Sequence, residues 1–348
     1  MRITRRAALL GAAGAVALPA LRTGSAGSAP SRPGPDATID LHAHAMPASY
    51  LEAIEHPGSA VLPTGEPVPH WTPEAALAHM AASGVDRQVL SVPDPALALV
   101  PRAARRRVAT AINDELADLV RREPGRFSAL AVLPLGDQVA TMREIRRVRR
   151  LGLAGVILPT NVEGRYLGEP AFELAMFELN RLGMLALIHP TAPAPGDAPA
   201  ALELPPGLLD TAFEPVRATA SLLYSLTLTR YPRIRFVLAD GGGAVPFLWY
   251  RIGVFTGRAV LSNLLQRPTS LGPLDLTRSL ARLRVDTAAG AADPANLAAI
   301  RASVGIERLV FGSNWPLAPG GDDPLAELAS RVTAQELTAI RAGAAALR

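Results

Sequence analysis

Short apolar runs alternate with longer amphipathic segments eight times from Thr38 onward, and this alternation limits the fold more than any other feature of the chain. The runs are 38–44 (TIDLHAH), 86–92 (DRQVLSV), 127–133 (FSALAVL), 153–159 (LAGVILP), 184–189 (MLALIH), 234–240 (IRFVLAD), 283–288 (LRVDTA) and 307–313 (ERLVFGS). Most are continuously apolar, as strands of a parallel sheet buried on both faces must be. The segments between them carry helix signals. Thr72-Pro73-Glu74 supplies an N-cap and a proline in the first turn, predicting a helix to Ser83. A long segment spans Arg102 to Arg122, and Asp137 caps a helix that reaches Leu151 and stops before Gly152. Eight strand–helix units predict an α/β fold, a single-domain (β/α)8 TIM barrel over 37–348, with a doubly wound sheet as the alternative.

Active sites of such barrels stand at the C-terminal ends of the strands. The first strand ends His42-Ala43-His44, the fifth ends at His189, the sixth at Asp240, and the eighth runs into Asn314. Residues i and i+2 of a strand face the same side. His42 and His44 therefore both face the mouth and can share one metal ion at about 2.0–2.1 Å. Of the other histidines, His56 and His70 fall in a Pro/Gly-rich loop and His79 in the first helix, where packing is the expected role. His70-Trp71 is a weaker candidate for lining the mouth. Gly241-Gly242-Gly243 lacks the lysine and spacing of a phosphate loop and is read as a tight turn close to the site.

Composition removes several chemistries. The chain has no cysteine, which excludes thiolate nucleophiles, Cys-ligated zinc and disulfides. It also has no lysine, so Schiff-base catalysis and a carboxylated lysine bridge are excluded. A metal site must then be built from His, Asp, Glu and Asn. The net charge of +4 is carried by the first 29 residues, which hold Arg2, Arg5, Arg6 and Arg22 and no acid. Without those four, the 35 basic residues fall to 31, equal to the 31 acidic ones. A nucleic-acid partner is not expected of such a chain. The runs Arg105–Arg107 and Arg146–Arg150 lie in helical segments and are read as solvated faces.

The N-terminus has its own pattern. Arg5-Arg6 precede an Ala/Leu-rich stretch to Leu21 and small residues through Ala29, the layout of a twin-arginine export signal over 1–29. Residues 30–36 form a Ser/Pro/Gly-rich linker. The expectation is a protein exported to the periplasm or beyond, with no membrane span.

The stretches IDLHAHAMP (39–47), INDELADLVRREPGRFSALAVLPL (112–135), LGLAGVILPTNVEGRYL (151–167), LALIHP (185–190), FVLADGGGAVPFL (236–248) and RLVFGSNWP (308–316) resemble, in this order, the amidohydrolase-related family typified by aminocarboxymuconate-semialdehyde decarboxylase. The resemblance implies a (β/α)8 barrel, commonly a homodimer, with one divalent metal, most often zinc and here zinc or manganese. It also implies decarboxylation, hydration or hydrolysis of a small, often aromatic, carboxylated substrate. By position, His42, His44 and His189 resemble the family's metal-binding histidines.

Two positions depart from the family pattern: Asp240 stands where members have His, and Asn314 where they have the ligating Asp. Asn314 offers a neutral carbonyl oxygen and cannot accept a proton. A neutral ligand weakens cation binding and leaves more charge on the metal, favouring ionisation of a bound water. Asp240, ionised beside a cation, is a poorer base than His and is expected to orient a water. Three readings stay open: a metal enzyme with Asp240 as a ligand or as the water-orienting catalytic residue and Asn314 as a weak ligand or a hydrogen-bonder to substrate, a metal-independent lactone hydrolase, and a barrel that has kept only a binding pocket.

Overall fold

The computed structural model describes residues 37–347, apart from 55–67, 95, 194–205, 266–275, 289–292 and 318–322. The export segment 1–29, the linker 30–36 and His56 lie outside the described residues. Eight parallel strands follow one another in chain order around a barrel. They are β1 (Ile39–His44), β2 (Arg87–Ser91), β3 (Phe127–Ala131), β4 (Gly155–Pro159), β5 (Leu185–His189), β6 (Arg235–Leu238), β7 (Arg284–Asp286) and β8 (Leu309–Val310). The ring closes where Leu41 N donates to Phe311 O at 2.9 Å and His44 N to Trp315 O at 2.7 Å. A parallel bridge between Ala43 and Trp315 extends that closure beyond β8. The sheet is thus a barrel and not the open doubly wound alternative.

Helices flank the strands where their caps predict them. Thr72 Oγ1 accepts from Ala75 N at 3.1 Å and opens the helix Pro73–Ser83, which Gly84 ends at φ +68°. Asp137 accepts from Ala140 N at 2.9 Å and opens Gln138–Arg150. Each such cap satisfies a helix-end N–H and contributes about 1 kcal/mol. The third predicted helix is seen as Arg102–Arg122. Among the described residues no helix is long and apolar enough to cross a membrane.

Arg105 departs from the expectation for its run. Arg106 and Arg107 are exposed, but Arg105 is buried, because its position on the helix faces the barrel together with Val108, Ala109 and Ile112. Its Nε donates to Val100 O at 2.9 Å and its Nη1 pairs with Glu163 Oε1 at 2.9 Å. Arg146 and Arg147 are likewise tied down, to Glu178 at 2.8 Å and to Glu144 at 2.7 Å.

Closure at β1 and β8 depends on Gly312. A Cβ there would lie 2.8 Å from the Cβ of His42 and 3.1 Å from that of Asp286, closer than side-chain atoms pack. Gly312→Ala is expected to push these residues apart, lowering stability by about 1–3 kcal/mol. Thermal melting checks the stability, and metal titration of the same variant is expected to show weakened binding. A variant matching the wild type in both measurements would contradict this role.

Candidate metal centre

β1 delivers both of its histidines to one place. His42 Nε2 and His44 Nε2 stand 3.1 Å apart, and the ring centroids lie 4.8 Å apart. His189, the last residue of β5, brings a third ring to 5.2 Å from His42 and 5.3 Å from His44. One ligand atom from each of the three histidines lies within 4.8 Å of the others. His42 and His44 are fully buried. The structure therefore brings together the three histidines singled out in the sequence, and His44 Nε2 lies 2.9 Å from Asn314 Oδ1.

The opposite nitrogen of each ring is already engaged. His42 Nδ1 lies 2.7 Å from the buried carboxylate of Asp286, His44 Nδ1 lies 3.2 Å from Ser91 Oγ, and His189 Nδ1 lies 2.8 Å from Pro190 O. A carboxylate and a carbonyl only accept, so the Nδ1 of His42 and of His189 donates. Ser91 Oγ also lies 3.4 Å from Ala43 O, to which it donates, so it accepts from His44 Nδ1. Three Nε2 lone pairs and the Asn314 oxygen then face one another. Without a cation between them this arrangement is repulsive. With one it is a set of ligands whose rings are fixed from behind, as metal-bound histidines commonly are. Two nitrogens about 2.05 Å from one ion stand about 3.1 Å apart when their angle at the ion is close to 100°. The residues present fit a divalent metal.

Electrostatics point the same way. Burial and the charge of His42 hold His44 well below its ordinary pKa, and the same causes bring His189 down to about 4. Both rings are therefore neutral, as metal ligands must be. Burial alone would lower His42 too, but the Asp286 carboxylate, with Asp240 and Asp40 further off, holds it above its ordinary value.

Three acidic residues surround the cluster. Asp286 Oδ2 meets His42, while Oδ1 accepts from Gly241 N at 3.2 Å and Ala288 N at 3.1 Å. Asp40, fully buried, accepts from Ser313 Oγ at 2.6 Å, Ser313 N at 3.0 Å, His42 N at 3.1 Å and Gln88 Nε2 at 3.2 Å. It thereby fastens the loop after β8 to β1 just ahead of Asn314. Burial raises its carboxyl to about 6 against the Ser313 hydrogen bonds. Asp240 is half-buried at the start of the turn Asp240–Gly242 and close enough to His42 to raise its pKa. Asp240 and Asn314 both adopt left-handed backbone, φ +55° and +57°, which Asp and Asn tolerate better than other side chains. The three glycines after Asp240 also have positive φ, consistent with a tight turn and not a phosphate cradle.

The remaining candidates fall elsewhere. His79 stacks on Trp315 with centroids 4.8 Å apart, a packing role. His70 is exposed, and Trp71 lines an outer groove with Met46, Glu115 and Leu119. The sequence did not single out Asp286 or Asp40. The available signal was an acidic residue inside a strand run, which becomes informative once β7 pairs with β8 and β8 closes onto β1.

Asp286→Asn removes the charge behind His42 while keeping the shape. It is expected to weaken zinc or manganese binding about 10- to 100-fold, read by calorimetric titration of the metal-free protein. Unchanged affinity would show that Asp286 is a structural residue only.

The family model described as amidohydrolase matches residues 39–347. A protein named decarboxylase yanB from Aspergillus niger is 30% identical over 81% of this chain and 77% of its own length. The 6-methylsalicylic acid decarboxylase of Penicillium expansum is 29% identical over 81% of this chain and 86% of its own. Among solved structures, an amidohydrolase II crystal structure has TM-score 0.77 at 26% identity, covering 87% of this chain and 96% of that one. A dihydroxybenzoic acid decarboxylase from Polaromonas, solved with bound manganese, has TM-score 0.69 at 20% identity, covering 88% of this chain and 94% of that one. The match spans every strand of the barrel and both histidine-bearing strand ends, and the chain belongs to the amidohydrolase family.

Proposed function

We propose that the protein is a metal-dependent carboxy-lyase that removes CO2 without oxidation from a small aromatic carboxylic acid. The observation that carries this reading is the grouping of ligand nitrogens of His42, His44 and His189 within 4.8 Å of one another at the C-terminal end of the barrel, with the Asn314 oxygen 2.9 Å from His44 Nε2. The decarboxylase names of the relatives select this reaction from those that such a centre can support. His42, His44, His189 and Asn314 would hold the ion. Once bound, a divalent cation supplies Lewis-acid polarisation of a substrate oxygen. The nitrogen-rich donor set suits zinc, and manganese, held by the Polaromonas protein, is the alternative.

Decarboxylation breaks the bond between the ring and the carboxyl carbon, releases CO2, and leaves an electron pair that must take up a proton. Asp240 is the residue assigned to this proton. As an ionised carboxylate it accepts hydrogen bonds and does not donate them. Its task is to accept a hydrogen bond from a water and so turn that water's other proton toward the ring carbon, the hydroxide left behind combining with the released CO2 as bicarbonate. Asp286 holds the His42 ring, and Asp40 holds the turn that presents Asn314.

The Arg5-Arg6 segment supports export, which puts the reaction outside the cytoplasm. Exposed Phe247, Tyr250 and Phe255 on the helix Val245–Leu265 support assembly as a homodimer.

The test is CO2 release from a panel containing benzoate, salicylate, 6-methylsalicylate and 2,6-dihydroxybenzoate, using protein reconstituted with zinc or manganese. Activity on at least one hydroxylated acid is expected. His189→Ala should lose both metal and activity, and Asp240→Asn should keep the metal while kcat falls about 100-fold or more. Protein that takes up no stoichiometric metal would sink the proposal. Full activity in Asp240→Asn would remove Asp240 from it.

A further inference from the structure

Among the residues that follow β2 to β5 lies a cavity of about 300 Å³. That is at the lower end of small-ligand pockets, roughly 300–1,000 Å³, and suits a single ring. Leu97, Val132, Leu133, Ile157, Pro159 and Val162 make most of its wall apolar. It stands at the same end of the barrel as the metal ligands. Pro159 is paired with His189 in the β4–β5 ladder, and Thr191, on its rim, is two residues beyond His189. That is about 7 Å of extended chain, the scale of one substituted ring.

The polar groups of the cavity are unequal. Arg105, the cation among its lining residues, shares the Glu163 carboxylate with Arg102 and is hydrogen-bonded to Val100 O, so its N–H groups are held by protein partners. Asn161 spends its amide on Glu214 Oε2 at 2.9 Å and Ala192 O at 3.1 Å, and its oxygen on Gly164 N at 3.1 Å. Asp94 differs. Its carboxylate accepts from Thr191 Oγ1, and among the described residues no other hydrogen bond to it is seen. Burial raises its carboxyl to about 6, the Thr191 hydrogen bond opposing, so near neutrality it is a mostly ionised acceptor in an apolar surround. Asp94 is half-buried, and a carboxylate with one protein hydrogen bond has acceptor capacity left over for a donor on a ligand.

We propose that Asp94 determines substrate specificity by accepting a hydrogen bond from a hydroxyl or amino group on the substrate ring, at the end turned away from the metal. Its negative charge also repels a carboxylate from its own side of the cavity. The two ends of the pocket thus orient the molecule with its carboxylate toward the histidines and its uncharged donor toward Asp94. The proposal rests on the decarboxylase reading for the carboxylate end, but its own content is the recognition of a ring donor.

Calorimetric titration of the metal-loaded protein with benzoate, 3- and 4-hydroxybenzoate, and 3- and 4-aminobenzoate tests it by binding alone. At least one hydroxy or amino acid is expected to bind about 10- to 100-fold tighter than benzoate, the range of a hydrogen bond to a charged group. The hydroxy and amino arms distinguish the two donors. In Asp94→Ala the advantage is expected to vanish while benzoate binding changes little, and the isosteric Asp94→Asn is expected to lose most of it with melting temperature and metal content preserved. An advantage that persists in both variants overturns the proposal, as does a wild type that ranks no donor-bearing acid above benzoate. An Asp94-dependent preference that survives removal of the metal upholds the proposal and counts against the metal-centred reading, so the two fail separately.

Discussion

Lone pairs aimed at one point repel unless a positive charge sits among them, and the centre of this barrel is built around that requirement. Asp286, Ser91 and Pro190 O each engage the Nδ1 of one histidine and so leave Nε2 of His42, His44 and His189 facing inward. The neutral oxygen of Asn314 joins them. No assignment of protons lets the contacts of His44 Nε2 with both His42 and Asn314 serve as ordinary hydrogen bonds. A single cation satisfies every contact. The anionic charge of the site sits behind and beside the ligands, on Asp286, Asp40 and Asp240, and not on the ligand atoms themselves.

That arrangement is held by the closure of the barrel between β1 and β8. Asp40 clamps Ser313, Asn314 N donates to His42 O at 2.8 Å, and Gly312 leaves room for His42 and Asp286 to approach. Left-handed backbone at Asp240 and Asn314 turns both side chains at the strand ends. Non-glycine residues in that region carry a strain of order 1–3 kcal/mol, less for Asp and Asn, and such strain persists where surrounding structure fixes it. The two residues that depart from the family pattern are therefore of the kinds that suit their backbone.

Much of this was legible in the sequence, for a physical reason. Continuous apolar runs report burial on both faces, and caps such as Thr72 and Asp137 report helix starts, because both signals are local. The pair His42 and His44 was legible since two residues in a strand share a side, and His189 since it ends a run of the same kind. Asp286 was not, because its meaning comes from His42, 244 residues away in the chain. Arg105 was misread as solvated because a charge run hides which member faces inward, and only the packed helix shows that it meets Glu163. Asp94 sits in a loop whose partner, Thr191, is 97 residues off. Contacts across the barrel mouth leave no periodic trace.

The mouth of the barrel has a cation end built by β1, β5 and β8 and an apolar end built by the residues at and after the ends of β2 to β5. Its central claim is that three imidazoles share one metal ion. X-ray absorption at the zinc edge of the zinc-loaded protein tests this most directly. The account predicts a spectrum fitted by three imidazole rings at about 2.0–2.1 Å with oxygen completing the shell. A shell with one imidazole or none, or one of water and carboxylate oxygens alone, would contradict it.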